Sequence, residues 1–138
     1  MIVIDEYLAV RVVFARWPAG LPDEELALPS SRHWRLLQAL HNPRGGQLSQ
    51  ILAPLSEPDR SALRWPHPEV LQILDPRPLL DKAAQVAAGY GGTGWLVAES
   101  LAAGLAYGRE LYFGTEQNVG HLLARAAGEL GIAVHVAT

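Results

Sequence analysis

The sequence predicts an α/β domain with a central parallel sheet between two layers of helices. Three observations predict it. The chain opens on Ile2-Val3-Ile4, a β-branched run of the kind that fills a strand buried on both faces. Its last third alternates helix-like and strand-like stretches: Trp95–Tyr107, Leu111–Phe113, Asn118–Leu130 and Ile132–Val136. Between these ends, about residues 21–78, lies a helical and proline-rich segment that reads as an insertion into one domain spanning 1–138.

Asp5 ends the first strand. From Tyr7 to Trp17, Leu8, Val12 and Val13 recur at helical spacing, with Arg11 and Arg16 between them. The β-branched content of that stretch also leaves a strand open. Pro18 and Gly20 stop it. Leu21–Pro29 reads as a loop whose Asp23-Glu24-Glu25 run is solvated or opens a helix. Ser30 or Ser31 can cap a helix to about His41, broken by Asn42-Pro43 and Gly45-Gly46. A short helix is expected over Gln47–Leu55 and another from Ser56-Glu57-Pro58 through Leu63. Four prolines make Arg64–Pro78 irregular. Leu79–Ala88 is a helix, Gly89–Gly94 a glycine loop, and Gly108 and Gly131 close the helices before them.

Composition narrows the function classes. At 138 residues the chain supports one domain with a real core and is short for two. A formal charge of −3 argues against a general nucleic-acid coat or a membrane-surface protein, which carry a basic excess. Local grip on nucleic acid through a few arginines remains open. The absence of cysteine excludes disulfides, zinc-thiolate sites and thiol catalysis. No stretch approaches about eighteen uncharged apolar residues, and Met1 leads straight into strand without signal-peptide architecture. No membrane partner and a cytoplasmic location are the expectations.

Three acids stand where apolar or turn residues are usual. Glu99 is the one charge in a long apolar helix, and a buried carboxylate must be paired, protonated or metal-bound. Asp5 lies just past a strand, where ligands bind in open parallel sheets, and where a helix N-cap would equally use an aspartate. Thr115-Glu116 repeats that arrangement after Leu111–Phe113, with Thr115 as a cap. Glu6 is expected to face solvent or to supply a spare ligand. Asn118 either orients water or phosphate or simply sits in a first helical turn. Three convergent carboxylates would suit Mg²⁺ or Mn²⁺, ions that activate water and stabilise a displaced phosphate oxygen.

Other signals carry less. Gly89–Gly94 matches G-x-G-x-x-G but follows a helix rather than a strand, so it is read as a connection. The five histidines show no zinc spacing. Arg32, Arg35 and Arg44 with Trp34 form a loose patch: an RNA backbone grip with a stacking platform, or the ordinary solvent-facing arginines of an amphipathic helix.

The opening IVID strand, the helix with AESLAAGLAYG, the strand and turn LYFGTE and the closing ARAAGELGIAVHV together resemble the PIN-type domains, including the VapC-type toxin ribonucleases. The resemblance covers about the first ten and the last sixty residues. It implies a three-layer PIN-like domain and a metal-dependent endoribonuclease, with Asp5, Glu99 and Glu116 as catalytic residues holding Mg²⁺ or Mn²⁺. Glu6, Thr115 and Asn118 would support them. It further implies an RNA substrate, an antitoxin partner and a homodimer. The family usually has aspartate at the last two acid positions and a fourth acid in the first half; here Gln47 and Gln50 occupy that region. The leading expectation is the ribonuclease; these departures speak for the alternative, a catalytically degenerate module that binds RNA or a protein.

Overall fold

The computed structural model of the chain describes residues 1–42 and 44–138. Five strands, β1 (Ile2–Ile4), β2 (Leu26–Leu28), β3 (Gln72–Ile73), β4 (Glu110–Phe113) and β5 (Ala133–Val136), form one sheet in the order β3-β2-β1-β4-β5. Every neighbouring pair is parallel. β1 lies at the centre, with Ile2 opposite Leu26 on one side and Ile4 opposite Tyr112 on the other. Its three residues are all buried, as a β-branched run enclosed on both faces requires.

Side-chain alternation along the strands sorts the core. Val3, Ala27, Leu111 and Phe113 point to one face and pack with α5 (Leu80–Gly89), α6 (Trp95–Ala106) and α8 (His121–Leu130). Ile2, Ile4, Leu26, Leu28 and Tyr112 point to the other and pack with α1 (Glu6–Val13). A third cluster of Val10, Leu36, Leu40, Leu48, Leu52 and Leu63 seats α2 (Ser30–His41), α3 (Gln47–Leu52) and α4 (Glu57–Arg64) outside α1. Arg60 locks that group: its guanidinium donates to the carbonyls of Leu40, Leu52, Ala53 and Leu55 at 2.9–3.2 Å. These carbonyls lie at the end of α2 and at and just beyond the end of α3, where few backbone donors remain. The three-layer α/β/α architecture expected from the sequence is the one observed.

Several local expectations need correction. Leu21–Pro29 contains β2, and Arg64–Pro78 contains β3, so residues 21–78 supply two of the strands. Leu-Ala-Leu and Gln-Ile are too short to show a strand period, and only pairing to β1 and β2 makes them strands. The first helix ends at Val13, four residues early, because Ala15 takes a left-handed φ of 55°. The helix expected over Asn118–Leu130 is two: α7 (Glu116–Val119) and α8, separated at Gly120 with φ 70°. Gly131 closes α8 in the left-handed conformation, as expected.

At Gly114, just past β4, the turn comes close to the start of α1. A Cβ built there would lie 2.7 Å from the Tyr7 Cβ and 3.2 Å from the Leu8 nitrogen. Gly128 in α8 has nothing within 4 Å of such an atom. Gly114→Ala should therefore lose roughly 1–3 kcal/mol in denaturant unfolding, whereas Gly128→Ala should be neutral or gain up to about 1 kcal/mol. Equal stability of the two variants would contradict the close approach.

Candidate functional site

From β1 the chain proceeds to β2 and β3 on one side, while β4 and β5 lie on the other, so the topology reverses between β1 and β4. Ligand sites of open parallel sheets lie beyond the carboxyl ends of the strands at such a point. Asp5 leaves β1 there, and Gly114 and Thr115 leave β4.

Asp5 is 1 % exposed and is the N-cap of α1. Its Oδ1 accepts hydrogen bonds from the backbone N–H of Leu8 (2.9 Å) and of Gly114 (3.1 Å). Its Oδ2 accepts from the Asn118 amide at 2.7 Å. One aspartate thus caps a helix and ties β1 to the turn after β4. Burial pushes its pKa up to about 6, and the neighbouring Glu6 charge adds to this against the lowering effect of the three hydrogen bonds.

Glu6, expected to face solvent, is fully buried. It is held by Arg32 Nη1 at 3.2 Å and Asn118 Nδ2 at 2.7 Å on Oε1, and by Arg35 Nη1 at 3.1 Å on Oε2. Arg35 also donates to Asn118 Oδ1 at 2.6 Å. Asn118 therefore bridges both acids and one of their counter-ions, a role for which its position in the first turn of α7 gives no hint. Thr115 caps that turn by accepting from the Asn118 N–H.

Arg32 is the largest departure from a solvent-facing reading. It is 1 % exposed, donates through Nε to Ser100 Oγ at 2.9 Å, and lies 5.1 Å from the Phe113 ring centroid. Ser100 in turn donates to the Leu96 carbonyl, so α6 positions the hydroxyl that positions the guanidinium.

Glu99, also fully buried, accepts from the Ser31 N–H and from Ser30 Oγ, each at 2.6 Å. The N-cap of α2 is Pro29, which has no capping side chain. Glu99 takes that place from another element, meeting the orphan N–H and the positive end of the helix with a charge-assisted bond. Ser30 and Ser31, expected as caps, are instead the groups being bound. Glu116 is exposed in the first turn of α7.

The three expected metal ligands thus have separate occupations. Asp5 serves the switch point, Glu99 caps α2, and Glu116 faces outward. Among the described residues no three His, Asp or Glu side chains are grouped so as to hold a metal ion. The acids gathered around Asn118 are Asp5 and Glu6, and two guanidiniums contact Glu6. A divalent cation needs available carboxylate oxygens; here each oxygen accepts an internal donor and the adjacent charges are positive. The donor set does not fit Mg²⁺ or Mn²⁺.

Comparison of the chain with protein-family models, with curated proteins and with solved structures gave no match.

Two outcomes follow from this geometry. A carboxylic acid whose folded pKa is raised binds its proton more tightly in the folded protein, so its stabilising contribution is complete below the ordinary aspartate pKa of 3.8 and is lost as pH rises through about 6. Relative to Asp5→Asn, the unfolding free energy of the native chain should fall by about 2 kcal/mol between pH 4 and 7, measured in denaturant; a parallel profile for the two proteins would refute the shift. Arg32→Ala leaves Glu6 short of a counter-ion in a buried site and should cost roughly 3 kcal/mol, read by the same method.

Proposed function

We propose that this chain is a PIN-like module that has given up metal-dependent catalysis and acts by binding single-stranded RNA. The observation that carries it is the engagement of every oxygen of Asp5, Glu6 and Glu99 by an internal donor. The parallel sheet and the placement of acids after β1 and on α6 support the PIN-like kinship. The changed chemistry of those acids supports the loss of catalysis.

The surface supplies a reason to name RNA. Trp34 and Trp95 are 62 % and 44 % exposed and line one apolar cleft with Ser30 and Ser31. The Ser31 hydroxyl is buried without a hydrogen-bond partner among the described residues. Exposed aromatic faces on which bases can stack are the part a sequence-tolerant single-strand site uses.

A Mg²⁺- or Mn²⁺-dependent ribonuclease of toxin type, restrained by an antitoxin and acting as a homodimer, is the second reading. The position of Asp5 at the switch point favours it. It requires Asp5 and Glu99 to exchange their internal donors for the metal ion.

Fluorescence anisotropy with short 5′-hydroxyl oligoribonucleotides of mixed sequence separates the two. Trp34→Ala should weaken binding roughly ten-fold, the order expected for one lost stacking contact, without unfolding the protein. Incubation with Mn²⁺ should leave the RNA as intact as with Asp5→Ala. Absence of RNA affinity would refute the binding reading, and cleavage that disappears in Asp5→Ala would establish the nuclease.

A further inference from the structure

Beside the acid centre, on the side of α2 and α3, lies a cavity of about 260 Å³ lined by Tyr7, Arg35, Gln38, Asn42, Gln47 and Ser49. Its lining side chains comprise one guanidinium, three carboxamides and two hydroxyls, and no carboxylate among the described residues. Two features show that it is built rather than left over. Ser49 is 1 % exposed, yet its Oγ has no hydrogen-bond partner among the described residues. A buried hydroxyl is costly in that state, and the usual resolution is a group that the protein itself does not supply. Beside it, Gly45 withholds a side chain: a Cβ there would lie 2.6 Å from Ser49 Oγ and 3.0 Å from Asn42 Nδ2. A side chain at Gly45 would collide with both polar atoms.

Arg35 supplies the charge. Among the described residues its hydrogen bonds, to Glu6 and Asn118, all leave from Nη1. Its other donors, Nε and Nη2, are not consumed by the acid centre, and its side chain is 39 % exposed. Glu6 neutralises part of the guanidinium charge but, fully buried, also fixes where the guanidinium stands.

We propose that this cavity binds a terminal phosphate group, with Arg35 as the ionic contact, Ser49 Oγ donating from the floor and the Asn42 and Gln47 amides closing the sides. A phosphate monoester offers three outer oxygens in a tetrahedral array and is dianionic near neutral pH. It can therefore use more of these donors at once than a planar carboxylate. Such a group is carried by a free mononucleotide or by the 5′ end of an RNA strand. The first of these sources makes the site independent of the tryptophan cleft.

Calorimetric titration at constant ionic strength tests it, with adenosine monophosphate as one ligand and a 5′-phosphorylated oligoribonucleotide against its 5′-hydroxyl counterpart as the other. Saturable binding of the mononucleotide supports a small-molecule site. Tighter binding of the phosphorylated strand alone supports an RNA end. In either case Ser49→Ala should weaken the phosphate-dependent affinity roughly ten-fold or more and leave the unliganded melting temperature unchanged or higher, since it deletes an unpaired hydroxyl. Arg35→Lys, which keeps the charge and loses the forked geometry, should weaken it as well. The proposal is overturned if neither phosphate ligand binds, if Ser49→Ala binds as the native chain does, or if Ser49→Ala melts lower, which would show the hydroxyl already satisfied within the fold.

Discussion

Two consecutive acids leave the central strand at a point where both are buried. Removing a carboxylate from water carries a penalty of several kcal/mol after relaxation, so Asp5 and Glu6 can be buried side by side only if the rest of the chain supplies their partners. It does so from four directions. The α1 backbone and the turn after β4 serve Asp5, α2 brings Arg32 and Arg35 to Glu6, and α7 brings Asn118 to both. Each partner is itself held, Arg32 by Ser100 on α6 and Asn118 by the Thr115 cap. Helices from both faces of the sheet are thereby tied to the end of one strand.

That requirement explains features which otherwise look unrelated. Gly114 lacks a side chain because the backbone must come close enough to donate to Asp5. Phe113, the last residue of β4, presents its ring to Arg32. α2 starts without a cap of its own because Glu99 reaches it from α6, which orients Arg32 and Arg35 two and five residues further along. Once buried charges are used this way, removing any one of them strands its partner. The same bonds that fix the architecture deprive the acids of the open coordination a metal ion would require.

How much of this the sequence disclosed depends on how local each cause is. Asp5 as a cap, Thr115 as a cap, Gly131 as a helix stop, the β-branched run of β1 and the apolar stretches of β4 and β5 rest on neighbours within a few residues, and these could be read directly. β2 and β3 could not, because Leu-Ala-Leu lacks the β-branched residues that mark the equally short β1, Gln-Ile is only two residues, and both are strands by virtue of the strand beside them. Glu99 was conspicuous as a lone charge in an apolar helix, but the groups that explain it are 68 and 69 residues away. Arg32 gave no signal, since an arginine in Ser-Ser-Arg-His-Trp-Arg looks solvent-facing until α2 is seated on α6. Conversely, Glu116 looked like Asp5 in local pattern and turned out exposed. Pattern located the acids and left their partners undetermined.

Whether the acids at the switch point are closed to metal decides between a binding module and a nuclease. Addition of Mn²⁺ to ¹⁵N-labelled protein tests this through the paramagnetic broadening of amide resonances near any bound ion. At micromolar Mn²⁺ the account predicts no selective broadening of Asp5, Gly114 and Asn118. Selective loss of those signals, absent in Asp5→Asn, would show that the carboxylates open to a metal and would contradict it.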